Sequence, residues 1–101
     1  MIHENISSVE ILESDELIVV LESGGKPSYQ NIYREAAEVY WVNDLKAFKS
    51  PPPKKWSHSV WFHHIVKVAG NCSISLILTK NTSWVNIPDL TKGEICASKN
   101  T

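Results

Sequence analysis

The sequence predicts an α+β domain over residues 1–101, a mostly antiparallel sheet of hairpins packed against one main helix. Three observations point there. Short β-prone runs flank polar turns at 8–22, 39–49 and 72–87. A stretch at 58–69 carries an apolar arc at helical spacing behind a helix-start signature. A length of 101 residues supports one modest core and one domain.

In SVEILESDELIVVLE, residues 8–22, the polar tetrad Glu13-Ser14-Asp15-Glu16 suits a short turn. Leu17 to Leu21 is apolar at every position, which predicts a strand covered on both faces. Gly24, Gly25 and Pro27 then break the chain. Residues 29–41, YQNIYREAAEVYW, admit two readings. REAAE is helix-prone, yet the apolar side chains from Ile32 to Phe48 form no helical face, so strand is the preferred reading. Val39–Val42 and Leu45–Phe48 around Asn43-Asp44 predict a second hairpin. Pro51, Pro52 and Pro53 form a stiff connector without backbone donors.

The helix follows. Ser57 is an N-cap whose hydroxyl accepts from an orphaned first-turn N–H. Trp56 and Trp61 then fall at the two positions of a hydrophobic staple, and Gly70-Asn71 supplies a left-handed stop. In CSISLILTKNTSWVNI, residues 72–87, a turn at Lys80-Asn81 sets Leu76 opposite Val85 and Ile77 opposite Trp84. DLTKGEICA predicts a short C-terminal helix weakened by Gly93, and the tail SKNT is expected to fray.

A net charge of −1 argues against general nucleic-acid binding, but the charge is divided along the chain. Residues 1–25 hold six acids and no lysine or arginine, whereas residues 45–88 hold six lysines and no acid. The two segments meet within one molecule or across a contact, or simply present two solvated faces. KAFKSPPPKKW mixes lysines with Phe48 and Trp56, but the near-neutral total and the staple role of Trp56 weigh against a single-strand nucleic-acid site. The start, MIHENISSVE, lacks the basic and apolar regions of an export signal, and no apolar run has membrane-spanning length. A cytoplasmic protein with reduced Cys72 and Cys96 and no membrane association is expected.

Three histidines and two tryptophans within residues 56–70 invite a search for chemistry. On the helix, Trp61, Phe62, Ile65, Val68 and Ala69 share one arc, with His63, His64 and Lys67 opposite. His63 and His64 are adjacent, not one turn apart, so they do not chelate a metal, and both are expected to face water. His58 falls near the middle of the apolar arc. It is either a satisfied helix-start residue or an imidazole lining an aromatic cavity, where it would bind or move a proton. Arg34, the one arginine, stands near Tyr33 and Tyr40 in sequence and either clamps an anion or pairs a glutamate. No phosphate loop, nucleophile elbow or metal motif is present, so no cofactor and no metal are expected.

REAAEVYW, FKSPPPKKW, the Trp61-Phe62 and Ile65-Val66 pairs, and WVNIPD together resemble small bacterial proteins carried as mobile gene cassettes in integron arrays, over roughly residues 33–89. The resemblance implies a small soluble α+β domain that self-associates and holds a small-molecule pocket; it transfers no functional residue.

The expected function is a non-enzymatic binding or adaptor module, homo-oligomeric, with a small molecule or protein as partner. Its aromatic surplus, Tyr33, Tyr40, Trp41 and Trp84, supports that reading, and the expected ligand site is His58, Trp61, Tyr40, Trp41 and Arg34. The alternatives are a small enzyme using His58 as general acid or base, and an antidote-type regulator whose acidic segment meets a basic partner.

Overall fold

The computed structural model describes residues 2–24, 30–36, 38–54 and 56–97. Gly25 and Pro27 of the expected break, Tyr29 and Ala37 of the 29–41 stretch, and the tail at 98–101 lie outside those residues.

β1 (Ile2–Ile11) organises the sheet. It pairs antiparallel with β2 (Leu17–Leu21), as expected for the first hairpin, in a register that sets Val9 opposite Val19 and Ile11 opposite Leu17. A bulge lies between Ile6 and Ser8. β3 (Tyr40–Val42) and β4 (Ala47–Lys49) form the second hairpin, and β4 pairs with β2. Its turn is longer than the expected Asn43-Asp44 pair. Val42 faces Ala47 across Asn43–Lys46, and Lys46 closes the loop at φ 54°, the left-handed twist that a four-residue connection needs.

The third expected hairpin does not form. β5 (Ile74–Ile77) and β6 (Ser83–Val85) both run parallel to β1, one after the other along the same edge. β5 pairs with residues 2–5 and β6 with residues 8–10, so Trp84 lies opposite Val9, not Ile77. A turn at Lys80-Asn81 does exist, with Thr82 N–H donating to the Thr79 carbonyl at 3.1 Å. It is a jog around the β1 bulge. The Thr82 hydroxyl donates to the Ile6 carbonyl at 2.7 Å and accepts from Thr79 N–H at 2.9 Å, bridging the gap between the two pairings. Ten residues of β1 offer more edge than four-residue β5 fills, and the threonine hydroxyls satisfy what the jog exposes. The sheet order is β3-β4-β2-β1-β5, with β6 also on β1.

Residues 30–36 are not the expected strand. Gln30–Glu35 forms α1, followed by Glu38 at φ 64°, and the strand begins only at Tyr40. One helical turn brings Ile32 and Ala36 together in the core, both essentially inaccessible. The apolar pattern from Ile32 to Phe48 lacked a helical face because it straddles a short helix and a hairpin.

α2 (His58–Asn71) starts where expected, the Ser57 hydroxyl accepting from Val60 N–H. The Trp56 and Trp61 rings meet at a 59° tilt with centroids 4.6 Å apart, so the staple is formed. The helix continues through Gly70 and Asn71, and the left-handed residue is Ser73, at φ 65°. α3 (Asp89–Ala97) follows β6.

A row of side chains crosses the sheet: Trp41, Phe48, Val19, Val9 and Trp84, from β3 through β4, β2 and β1 to β6. Its three central members are fully buried beneath Trp61, Phe62, Ile65, Val68 and Ala69 of α2, with Ile32 of α1 and Ile95 of α3 closing the same core. Each such side chain contributes about 1.5–3 kcal/mol by leaving water. Among the described residues no helix is long and apolar enough to cross a membrane.

Candidate functional site

Two turns and one strand end converge at the β3 edge. The β1–β2 turn is closed by Leu12 N–H to the Glu16 carbonyl at 2.9 Å and Asp15 N–H to the Leu12 carbonyl at 2.8 Å. Asp15 takes φ 71°, a left-handed conformation that aspartate tolerates better than most residues. The carbonyl of Asp15 is then fixed from outside by His58, whose Nε2 lies 2.8 Å away. A carbonyl only accepts, so Nε2 carries the proton in this contact.

That turn delivers Glu16 to the cleft. The Ser14 hydroxyl donates to Glu16 Oε1 at 2.6 Å, and Lys49 Nζ stands 3.4 Å from Oε2. The Ser14 hydroxyl above all, with the Lys49 ammonium, holds the Glu16 carboxyl below its usual pKa against a smaller upward effect of burial. Glu16 belongs to the acidic N-terminal segment and Lys49 to the basic one. Their pair joins the two segments within one molecule.

Around this pair, Tyr40, Trp41, Val42, Asn43 and Asp44 complete an open cleft of about 430 Å³. Tyr40 is 62% exposed, so most of its ring is open to a ligand. Trp41 is half-buried and meets Phe48 edge-on at 5.0 Å between centroids, which anchors it to the core. The cleft therefore presents an exposed phenol, part of an indole, two carboxylates and one ammonium. That set suits a planar polar ligand.

The five residues expected to form one site are divided. Tyr40 and Trp41 line the cleft. His58 is half-buried and steadies the turn carrying Glu16, without lining the cleft itself. Trp61 is in the core, and Arg34 is exposed on α1. Trp84 is four strand spacings of roughly 4.8 Å from Trp41, about 19 Å along the row. Glu16 and Lys49 were not singled out by the sequence reading. The opposite charges of their segments were the available signal.

His63 and His64 do not face water as expected. Both are half-buried, and each Nε2 is buried without a hydrogen-bond partner among the described residues. His64 lies edge-on to Trp56 at 5.0 Å and to Trp61 at 5.9 Å. Burial, then the charge of Lys67, lowers its pKa from the ordinary 6.5. A helical wheel could not show this cover for His64, because Trp56, which lies before the helix, folds back onto it. No group of three His, Cys, Asp or Glu side chains among the described residues is placed to hold a metal ion.

Residues 4–82 match the family model described as Integron Cassette Protein Hfx_Cass5. A solved structure, "Structure from the mobile metagenome of North West Arm Sewage Outfall: Integron Cassette Protein Hfx_Cass5", is similar at 31% identity. The similarity covers 100% of this chain and 99% of that one, with a TM-score of 0.43. No curated protein matches the chain.

Proposed function

The chain belongs to the Hfx_Cass5 family of integron cassette proteins, and from that premise we propose that it is a small, non-enzymatic, cytoplasmic binding module. Its ligand is a small planar molecule held in the cleft at the β3 edge. The observation that carries this reading is the gathering of Tyr40 and Trp41 beside the Glu16–Lys49 pair. The ring of the ligand lies against the exposed Tyr40 at the strand edge bordered by Trp41, an ammonium or amide of the ligand reaches Glu16 or Asp44, and an acceptor reaches Lys49. The contact of His58 with Asp15 supports a positioning role in place of acid–base work. Self-association belongs to the same proposal. Self-association would use the rest of that edge: β3 is an edge strand, and Leu45 stands out from its hairpin, so a second copy docked along it covers Leu45.

The probe is 4-(aminomethyl)benzoate, a ring with an ammonium at one end and a carboxylate at the other. Titration should change tryptophan emission saturably, and Tyr40→Ala or Lys49→Gln should weaken binding about tenfold. Light scattering should give a mass above that of the monomer. A strict monomer whose emission ignores the probe would count against the whole reading.

A further inference from the structure

A second concavity, of about 400 Å³, lies near the opposite end of the cross-sheet row, among the 78–82 jog, β6 and α3. Leu78, Thr79, Lys80, Trp84, Lys92 and Cys96 line it. Its electrostatics differ from those of the first cleft. Among the described residues two ammonium groups and no carboxylate line it, and Glu94 of the same helix accepts from Ser59 of α2 at 3.3 Å. Lys92 Nζ sits 5.2 Å from the centroid of the Trp84 ring, in cation–π range. Trp84 is only half-buried, so part of the indole is open to a ligand beside that ammonium.

The jog also makes the site rigid. Thr79 and Thr82 direct their hydroxyls into the backbone, with Asn81 N–H on Thr79 Oγ1 at 3.1 Å and Thr82 Oγ1 on the Ile6 carbonyl at 2.7 Å. Lys80 is thereby carried on a loop tied at both ends, and Lys92 on a helix, with the indole also in the wall. Fixed supports lower the ordering cost of binding.

We infer that this second cleft binds a small planar organic anion, an aromatic carboxylate or sulfonate, whose charge is held between Lys80 and Lys92 and whose ring lies on Trp84 and Leu78. The site is independent of the β3 cleft and takes ligands of a different charge.

Naphthalene-2-sulfonate is the probe, followed by calorimetry on the full chain. Binding should be saturable, should weaken as salt rises, and should be at least tenfold weaker in the Lys80→Gln/Lys92→Gln double variant. Both lysines are exposed, so the exchange leaves the fold intact. The neutral naphthalene-2-sulfonamide should bind the native chain no better than the sulfonate binds the double variant. Tyr40→Ala should leave sulfonate binding unchanged, which separates this result from the fate of the β3 proposal. Cys96, exposed beside the cleft, supplies a second readout. The sulfonate should slow its reaction with a thiol reagent several-fold in the native chain and not in the double variant. Equal affinity for sulfonate and sulfonamide, an undiminished double variant, or an unprotected Cys96 would overturn the inference.

Discussion

His58 illustrates how a side chain serves a site without entering it. Its ring nitrogen holds the Asp15 carbonyl, and Asp15 shapes the turn that presents Glu16. His58→Ala should cost about 1 kcal/mol in urea unfolding, the ordinary net worth of one hydrogen bond, while leaving the far cleft unaffected. The Glu16 carboxyl titrates below its unfolded value, so the folded state binds fewer protons in that window. Its contribution to stability is fully present above the ordinary carboxylate pKa and is lost as pH falls through the folded value. Ser14→Ala and Lys49→Gln should each raise the Glu16 pKa, the first by removing the hydroxyl and the second by removing the ammonium, measured by carboxyl NMR titration. His64 has the same sign by a different route. Burial disfavours its imidazolium, so stability is complete above about 6.5 and declines as pH falls. His64→Gln should flatten that part of the stability–pH curve.

At the scale of elements, legibility tracked locality. The N-cap at Ser57, the Trp56–Trp61 staple and the first two hairpins depend on residues a few positions apart, and all appear near where the sequence put them. The errors share another cause. β5 and β6 pair with β1, more than seventy positions away, and no local pattern announces a partner at that separation. α1 is six residues long, too short for periodicity to register against its neighbours. Each error has a matching test. Thr82→Val removes the hydroxyl that satisfies the Ile6 carbonyl and the Thr79 N–H, and should cost about 1–3 kcal/mol. Ile32→Ala empties the core beneath α1 and should cost about 2–5 kcal/mol. A near-neutral result for either, by denaturant midpoint, would mean that the jog or the short helix is not what holds that region.

For the whole molecule, the sheet keeps its aromatic surplus at two edges. Trp41 and Tyr40 stand at one and Trp84 at the other, with Phe48, Val19 and Val9 forming a packed bar between them. The sequence announced the aromatic residues but not their separation, because separation follows from strand order. It also placed His58 and Trp61 in the same pocket, since a wheel shows direction on a helix and not what faces it. The charge division resolves in part as an internal contact, Glu16 with Lys49, while Glu4 is buried against Ser23 and Glu10 accepts from Ser8. Three of the six acids are used internally in this way, while Glu13, Asp15 and Glu22 stay exposed. The most direct test is a backbone-amide NMR titration with 4-(aminomethyl)benzoate. Saturable shifts are expected at Glu16, Tyr40–Asp44 and Lys49; stationary amides at those positions, with or without shifts elsewhere, would contradict the proposed site.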